Sequence, residues 1–135
     1  MLESVMFSPL KKIHTEKGDV FRIMRCDEGG FQGFGEVYLT NVSLGSTKGW
    51  KKHHQMTLNL IVIQGNVKFM LVDDDGSQQM YCLGDENYGR LTVPPGIWVA
   101  FEGLSESNMV INVANVIHST NESIPKPIDE ISFRL

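Results

Sequence analysis

The residues that could do chemistry are concentrated in residues 49–65, which read GWKKHHQMTLNLIVIQG. Side chains alternate between two faces along a strand, so a single strand here would carry one polar and one apolar face. The odd positions place a base, an imidazole, two amides and a hydroxyl together on one face: Lys51, His53, Gln55, Thr57 and Asn59. That face is either solvated or lines the mouth of a barrel, where convergent polar groups orient a small ligand.

The histidines do not predict a metal site. His53 and His54 are adjacent and point to opposite faces of a strand, so they cannot share an ion without a bulge. His14 and His118 are isolated in the sequence, and neither cysteine has a neighbour at ligand spacing. No P-loop, dinucleotide fingerprint or GxSxG motif is present. We therefore expect a site that holds neither a metal nor a cofactor.

The elements that must position these groups are strands. No segment keeps a helical apolar period, and short apolar segments bounded by turn residues alternate along the chain. Gly65, between two apolar segments, predicts a tight hairpin, and Asp74–Gly76 predicts a solvated turn. Residues 123–135 are expected to wrap the surface or to swap onto a partner. The predicted strands are Val20–Met24, Gly35–Asn41, Met56–Ile63, Val67–Val72, Arg90–Val93, Val99–Glu102 and Met109–Ile117.

Composition narrows the class of protein. The 135 residues predict a single domain, 1–135, and the formal charge of −4 argues against a nucleic-acid partner. The longest apolar runs, such as Leu60–Ile63, are too short to span a membrane. No basic leader precedes an apolar stretch, and Cys26 and Cys82 are expected to be reduced thiols. A cytoplasmic location is therefore predicted.

The order of five segments resembles a known family: GDVFRIMR, KGWKKHHQMTLN, IVIQGNVKFMLVDD, LTVPPGIWVAFEGL and VINVANVIHS. From about Ser8 to Asp129 the chain resembles the cupin-fold dTDP-4-dehydrorhamnose 3,5-epimerases and the related nucleotide-sugar ketoisomerases. VPPGIW, residues 93–98, is the most specific of these motifs. The resemblance implies an all-β, cupin-type double-stranded β-helix (a jelly roll). It further implies a homodimer with strand exchange and a role in precursor synthesis for surface polysaccharide.

The resemblance also assigns catalytic candidates. Lys51 occupies the family's catalytic histidine position, and His53 lies two residues further on, so His53 is the expected base. Lys51 could act as a base only if it were buried, because burial favours a neutral amine. The family's aspartate that orients the histidine falls near Asp129. The family's catalytic tyrosine falls on Asn115 or Val116, which leaves no proton donor.

The remaining expectations concern the pocket. Gln55, Asn59 and Asn115 would bind substrate, with Lys51 or Asn59 stabilising an enolate. Trp98 is either a wall of the pocket or an aromatic residue of the core or of a dimer interface. The cupin metal pattern is broken because Leu58 and Val99 occupy two of its ligand positions, so a metal-free cupin is implied.

Three functions remain open on the sequence. The first, and the one that the resemblance favours, is a metal-independent 3,5-epimerase that removes a proton beside the ketone of a dTDP-4-keto-6-deoxyhexose. The second is a 3,4-ketoisomerase that acts on the same class of sugar nucleotide. The third is a cupin that binds a sugar nucleotide without catalysis, which the missing tyrosine favours.

Overall fold

Two five-stranded antiparallel sheets face each other in the computed structural model, which describes residues 1–135. The first sheet has the order β1-β9-β6-β11-β4, the second has the order β12-β5-β10-β7-β8, and β2 pairs with β3 alone. The strands are β1 (Met6–Pro9), β2 (Lys12–Ile13), β3 (Val20–Phe21), β4 (Glu36–Ser43), β5 (Thr47–His53), β6 (Leu58–Gln64), β7 (Asn66–Val72), β8 (Gln78–Gly84), β9 (Gly89–Val93), β10 (Trp98–Gly103), β11 (Ser107–Ala114) and β12 (Ser123–Pro125).

The only helices are two 3₁₀ turns of three residues each, Leu2–Ser4 and Ile128–Glu130. Neither is long or apolar enough to cross a membrane. The prediction of an all-β chain is confirmed. The predicted strands correspond to β3, β4, β6, β7, β9, β10 and β11. β5 was expected only as the first part of one strand through residues 49–65, and β1, β2, β8 and β12 were not predicted.

The main core lies between the two sheets, because each sheet turns every second side chain inward. On β6 these are Leu58, Leu60 and Val62, and on β7 they are Val67, Phe69 and Leu71. Both sets belong to one cluster of 17 buried apolar residues. Burial of this interface is the main source of stability in a fold that has no long helix.

A second, smaller cluster covers the outer face of the second sheet. It contains Trp50, Met70, Val72, Trp98 and Ala100, which alternate with the inward-facing residues of the same strands. The C-terminal segment packs over it through Ile131 and Phe133. The indole Nε1 of Trp50 donates a hydrogen bond to the carbonyl oxygen of Ile128 at 3.1 Å. The tail therefore wraps its own chain, as one of the two expectations for it stated.

Residues 49–65 do not form one strand, and this corrects the predicted polar face. β5 ends at His53 and β6 begins at Leu58, and the two strands lie in different sheets. The connection resets the alternation of side chains. Lys51 and His53 thus share the interior with Leu58, whereas Asn59 points to the outer face of the first sheet.

Gly65 makes a corner between the sheets rather than the predicted hairpin. β6 and β7 flank it but pair with other strands, since they belong to different sheets. Its φ of +78° and its closeness to the carbonyl oxygen of Ser107 leave no room for a Cβ atom. The acidic turn that contains Gly76, by contrast, joins the antiparallel pair β7 and β8, as predicted.

A β-bulge in β5 determines which side chains reach the interior. Opposite β10, Val99 pairs with Lys51 and Ala100 pairs with Gly49, so that Trp50 is the extra residue. Lys48 and Lys51 therefore both line the interior, although they are three positions apart. Gly49 has a φ of +131°, and a Cβ there would lie 2.7 Å from the Cβ of Ala100.

Gly49→Ala is predicted to destabilise the protein more than Gly76→Ala. Both glycines have positive φ, which costs an alanine about 1 kcal/mol. A Cβ at Gly76 meets nothing within 4 Å, whereas one at Gly49 collides with β10, which adds about 1–3 kcal/mol of overpacking. Urea unfolding of the two variants measures the difference. Equal losses in the free energy of unfolding would show that the close approach of β5 to β10 does not contribute to the cost of the Gly49 substitution.

Candidate functional site

A pocket of about 250 Å³ opens between the sheets. Its apolar part comes from Leu58, Leu60, Val99, Phe101 and Val110. Its polar part comes from Tyr38, Thr40, Lys48, Lys51, His53, Asn112 and His118. An apolar cavity with a few convergent polar groups is the usual form of a small-molecule site.

His53 and Glu122 form the most buried polar pair of the site. His53 is 8% exposed and Glu122 is 6% exposed, and Nδ1 of the imidazole lies 2.5 Å from Oε1 of the carboxylate. No other protein group bonds the ring, which leaves Nε2 free for a ligand. A carboxylate on Nδ1 fixes the orientation and tautomer of a histidine and stabilises its protonated form. This pair has the geometry of a general base.

Local hydrogen bonds keep Glu122 ionised. Burial alone would raise the pKa of its carboxyl group, but hydrogen bonds from His53 and from the backbone amides of Gln55 and Met56 outweigh burial and lower it to about 2. Glu122 precedes β12, and Ser123 pairs with His53 across β5 and β12. The C-terminal segment therefore delivers the carboxylate to the histidine.

Asp129 does not orient His53, and this expectation is wrong. Asp129 is exposed in the second 3₁₀ turn and makes no side-chain hydrogen bond. Glu122 takes the position beside the imidazole because β12 pairs with β5 seven residues before Asp129 is reached. The resemblance placed the acid too far along the chain because an alignment of the tail does not reveal which residue faces the imidazole.

A tyrosine that sequence reasoning did not single out lines the pocket. Tyr38 comes from β4 rather than from the last strands, and its hydroxyl accepts a hydrogen bond from Nδ2 of Asn112 at 2.9 Å. Tyr38 is 40% exposed, and its partial burial raises the pKa of the phenol. Alternation along β4 could have indicated it, since Tyr38 and Thr40 share one face.

Basic side chains surround the pocket. Lys48, Lys51 and His118 line it together with His53, and no aspartate or glutamate is among its lining residues. Lys51 is exposed, so the burial that would make it a base is absent. Two lysines in a lining without carboxylates favour an anionic ligand.

Four residues expected to bind substrate do not line the pocket. Asn59 bonds the carbonyl of Gly30 through Nδ2 and accepts a bond from Thr92 on the outer face of the first sheet. Trp98 lies on the opposite face of its sheet, where the ammonium groups of Lys52 and Lys126 lie 5.1 and 4.9 Å from its ring. Trp98 therefore packs in the smaller apolar cluster and is not a wall of this pocket.

The other two of these residues shape the connection between β5 and β6. The Oδ1 atom of Asn115 accepts a hydrogen bond from the backbone amide of Thr57 at 2.8 Å. Gln55 is exposed, and its backbone amide donates to Glu122. The polar face expected from Lys51 to Asn59 thus reduces to Lys51 and His53.

No group of three or more His, Cys, Asp or Glu side chains lies together to hold a metal ion.

The fold and the pocket define a two-sheet, cupin-type protein with a histidine–carboxylate pair in the barrel mouth. The chain belongs to the family described as FdtA: WxcM-like, C-terminal, whose model matches residues 3–129. No curated protein sequence matches it.

Solved structures agree with this assignment. The chain is similar to a dTDP sugar isomerase from Desulfovibrio desulfuricans G20, with 30% identity, a TM-score of 0.92, and coverage of 98% of this chain and 90% of that one. It is similar in fold to the 3,4-ketoisomerase QdtA from Thermoanaerobacterium thermosaccharolyticum, which was solved as a mutant in complex with TDP-4-keto-6-deoxyglucose. The identity is 24% and the TM-score is 0.80, and the match covers 97% of this chain and 96% of that one. It is also similar in fold to a dTDP-4-dehydrorhamnose 3,5-epimerase from Bacillus anthracis str. Ames, which was solved with TDP and PPi bound. The identity is 16% and the TM-score is 0.84, and the match covers 96% of this chain and 83% of that one. The cupin-type fold and the resemblance to dTDP-sugar isomerases and epimerases are confirmed.

Glu122→Gln is predicted to remove a pH-dependent part of the stability. Folding lowers the pKa of Glu122 from 4.5 to about 2, so the ionised carboxylate stabilises the fold above pH 4.5 and loses this effect as the pH falls toward 2. At about 1.4 kcal/mol per pKa unit, the contribution at pH 7 is on the order of 3 kcal/mol. Denaturant unfolding between pH 7 and pH 3 should show the two proteins converging in acid.

Asp129→Asn is the matched control, since it neutralises the exposed carboxylate that the sequence placed beside His53. It should leave the free energy of unfolding unchanged to within about 0.5 kcal/mol across the same pH range. A pH-dependent loss in this variant, with none in Glu122→Gln, would contradict the pairing of Glu122 with His53.

Proposed function

We propose that this protein is a dTDP-sugar-modifying enzyme and that its reaction is the 3,4-ketoisomerisation of a dTDP-4-keto-6-deoxyhexose. The observation that carries this proposal is one histidine–carboxylate pair and one tyrosine facing a single cationic pocket. Membership of the FdtA family and the similarity to a dTDP sugar isomerase support it.

The reaction needs only a base and one hydroxyl group. His53 removes the proton from C3 of the sugar, and the electron pair of that C–H bond forms a C3–C4 double bond. Tyr38 gives its proton to the former ketone oxygen, O4, so that a neutral enediol results. Protonated His53 then returns a proton to C4, while the hydroxyl on C3 returns one to Tyr38. A ketone at C3 is left, and both residues regain their starting states.

The single base favours isomerisation over double epimerisation. C3 and C4 are neighbouring atoms, so one imidazole can reach both of them from the same side. Epimerisation at C3 and at C5 inverts carbons on the two sides of the ketone, and each inversion needs a proton delivered to the opposite face of the ring. The described pocket holds one carboxylate-paired histidine, and His118 is exposed at its edge.

The cations are suited to the nucleotide part of the substrate. A diphosphate is strongly anionic, and lysine is a common partner of phosphate oxygens. Lys48 and Lys51 lie on the same strand as His53, so a diphosphate held by them would bring the attached sugar near the imidazole. In this arrangement Lys51 binds the diphosphate, and it also stabilises the negative charge that develops on the sugar oxygens.

The 3,5-epimerase reaction is the second candidate. The TM-score of 0.84 with an epimerase shows that this fold is used for that chemistry. A cupin that only binds the sugar nucleotide is the third candidate. The homodimer with strand exchange, the cytoplasmic location and the role in polysaccharide synthesis stay predictions.

Incubation with dTDP-4-keto-6-deoxyglucose in D₂O separates the candidates. We expect a product with its ketone at C3 and with deuterium at C4, detected by NMR. Deuterium at C3 and C5 with the ketone still at C4 would identify an epimerase. Binding of the nucleotide without any exchange or product would show a non-catalytic cupin.

His53→Gln and Tyr38→Phe test the two roles. Loss of a general base or acid should lower kcat by about 10²–10⁴-fold. His53→Gln should also abolish exchange of the C3 proton, because no base remains to remove it. His54→Gln is the matched control, since His54 is the exposed neighbour of His53. Full activity of His53→Gln, or an equal loss in His54→Gln, would contradict the assignment.

A further inference from the structure

We propose that Asn112 is a positioning residue that fixes the direction of the hydrogen bond at Tyr38, so that the hydroxyl proton of Tyr38 is available to the substrate. The inference rests on the proposed function, in which Tyr38 is the proton donor. It adds a residue that acts through Tyr38.

The sheet register brings the two residues together. Asn112 of β11 and Tyr38 of β4 are direct partners in an antiparallel pair, and cross-strand partners carry their side chains on the same face. Both side chains therefore face the pocket between the sheets. Asn112 is 4% exposed, so its carboxamide must satisfy its hydrogen bonds within the protein.

The orientation of the Asn112 carboxamide is set by the backbone of β6. Its Oδ1 accepts a hydrogen bond from the backbone amide of Asn59 at 3.0 Å. A flipped carboxamide would oppose its own NH₂ group to that amide, which is a donor, so the flip is excluded. Nδ2 consequently faces Tyr38 and donates to its hydroxyl oxygen at 2.9 Å.

This arrangement leaves the proton of Tyr38 weakly held. Since the hydroxyl oxygen accepts from Asn112, the hydroxyl proton must point elsewhere. Its one protein acceptor is the thioether sulfur of Met56 at 3.9 Å, and a thioether is a weak acceptor. An oxygen atom of a bound sugar can displace that contact without breaking a strong hydrogen bond.

Asn112 also favours the transfer itself. When Tyr38 has given up its proton, the bond from Nδ2 of Asn112 ends on a phenolate oxygen and becomes charge-assisted, which makes it roughly twice as strong. The bond is thus stronger after transfer than before it, and an interaction of that kind accelerates a reaction. Since Asn112 already points at Tyr38 in the free protein, this stabilisation needs no rearrangement.

Asn112→Asp is the sharpest variant, because it keeps the shape of the side chain. One carboxylate oxygen can still accept from Asn59, while the other accepts the proton of Tyr38 and turns it away from the substrate. We expect kcat to fall at least 100-fold and KM to change less than threefold. Asn112→Ala, which removes the donor without adding a charge, should lower kcat about tenfold and covers the case in which Asn112→Asp does not fold.

A double-mutant cycle with Tyr38→Phe distinguishes positioning from a general structural role. If Asn112 acts through Tyr38, adding Asn112→Ala or Asn112→Asp to Tyr38→Phe lowers kcat by less than a further threefold. Full additivity of the two losses would overturn the proposal. Unchanged kcat in both single Asn112 variants would overturn it as well.

A titration of the free protein tests the hydrogen bond without turnover. The chain has three tyrosines, so ¹³C-labelled tyrosine ring signals can be assigned with Tyr38→Phe. Loss of the Asn112 donor should raise the pKa of Tyr38, and an unchanged pKa in Asn112→Ala would contradict the bond. Inactivity of the wild-type protein on the sugar nucleotide would instead overturn the proposed function, and this titration would still report on the bond.

Discussion

The buried hydrogen bond between His53 and Glu122 is the interaction on which the functional half of the molecule depends. It joins the end of β5 to the residue before β12, so it requires the C-terminal segment to run beside β5. A carboxylate of 6% exposure must be satisfied by several donors. Two of these donors are the backbone amides of Gln55 and Met56, and the connection between the two sheets is thereby held in place.

The two sheets contribute different halves of the proposed chemistry. The second sheet carries Lys48, Lys51 and His53 on β5, and the first sheet carries Tyr38 on β4 and Asn112 on β11. The distance between base and acid is therefore set by the packing of the sheets. Because the interior is filled with apolar side chains except at the mouth, the polar groups share a single cavity.

The all-β class and most of the long strands could be predicted from apolar runs and turn residues. The weakly alternating edge strand β8 could not, since Gln78 and Gln79 give it no clear apolar face. His53 was found from its residue type and from its place two residues after Lys51, which occupies the family's catalytic histidine position. Asn59 was assigned to the wrong face because residues 49–65 were treated as one strand, whereas the connection between β5 and β6 resets the alternation of side chains.

The sequence by itself determined the strand content and the presence of an imidazole and lysines on one strand, because these follow from local periodicity and residue type. The family was indicated by the resemblance of its ordered motifs. Only the tertiary structure decided that Glu122 faces His53, that Tyr38 enters the pocket and that Trp98 leaves it. Each of these depends on pairing between strands far apart in the chain. Pairing of that kind is selected by the burial of whole sheet faces. Local alternation shows which residues share a face, as Tyr38 does with Thr40, but not which strands that face will meet.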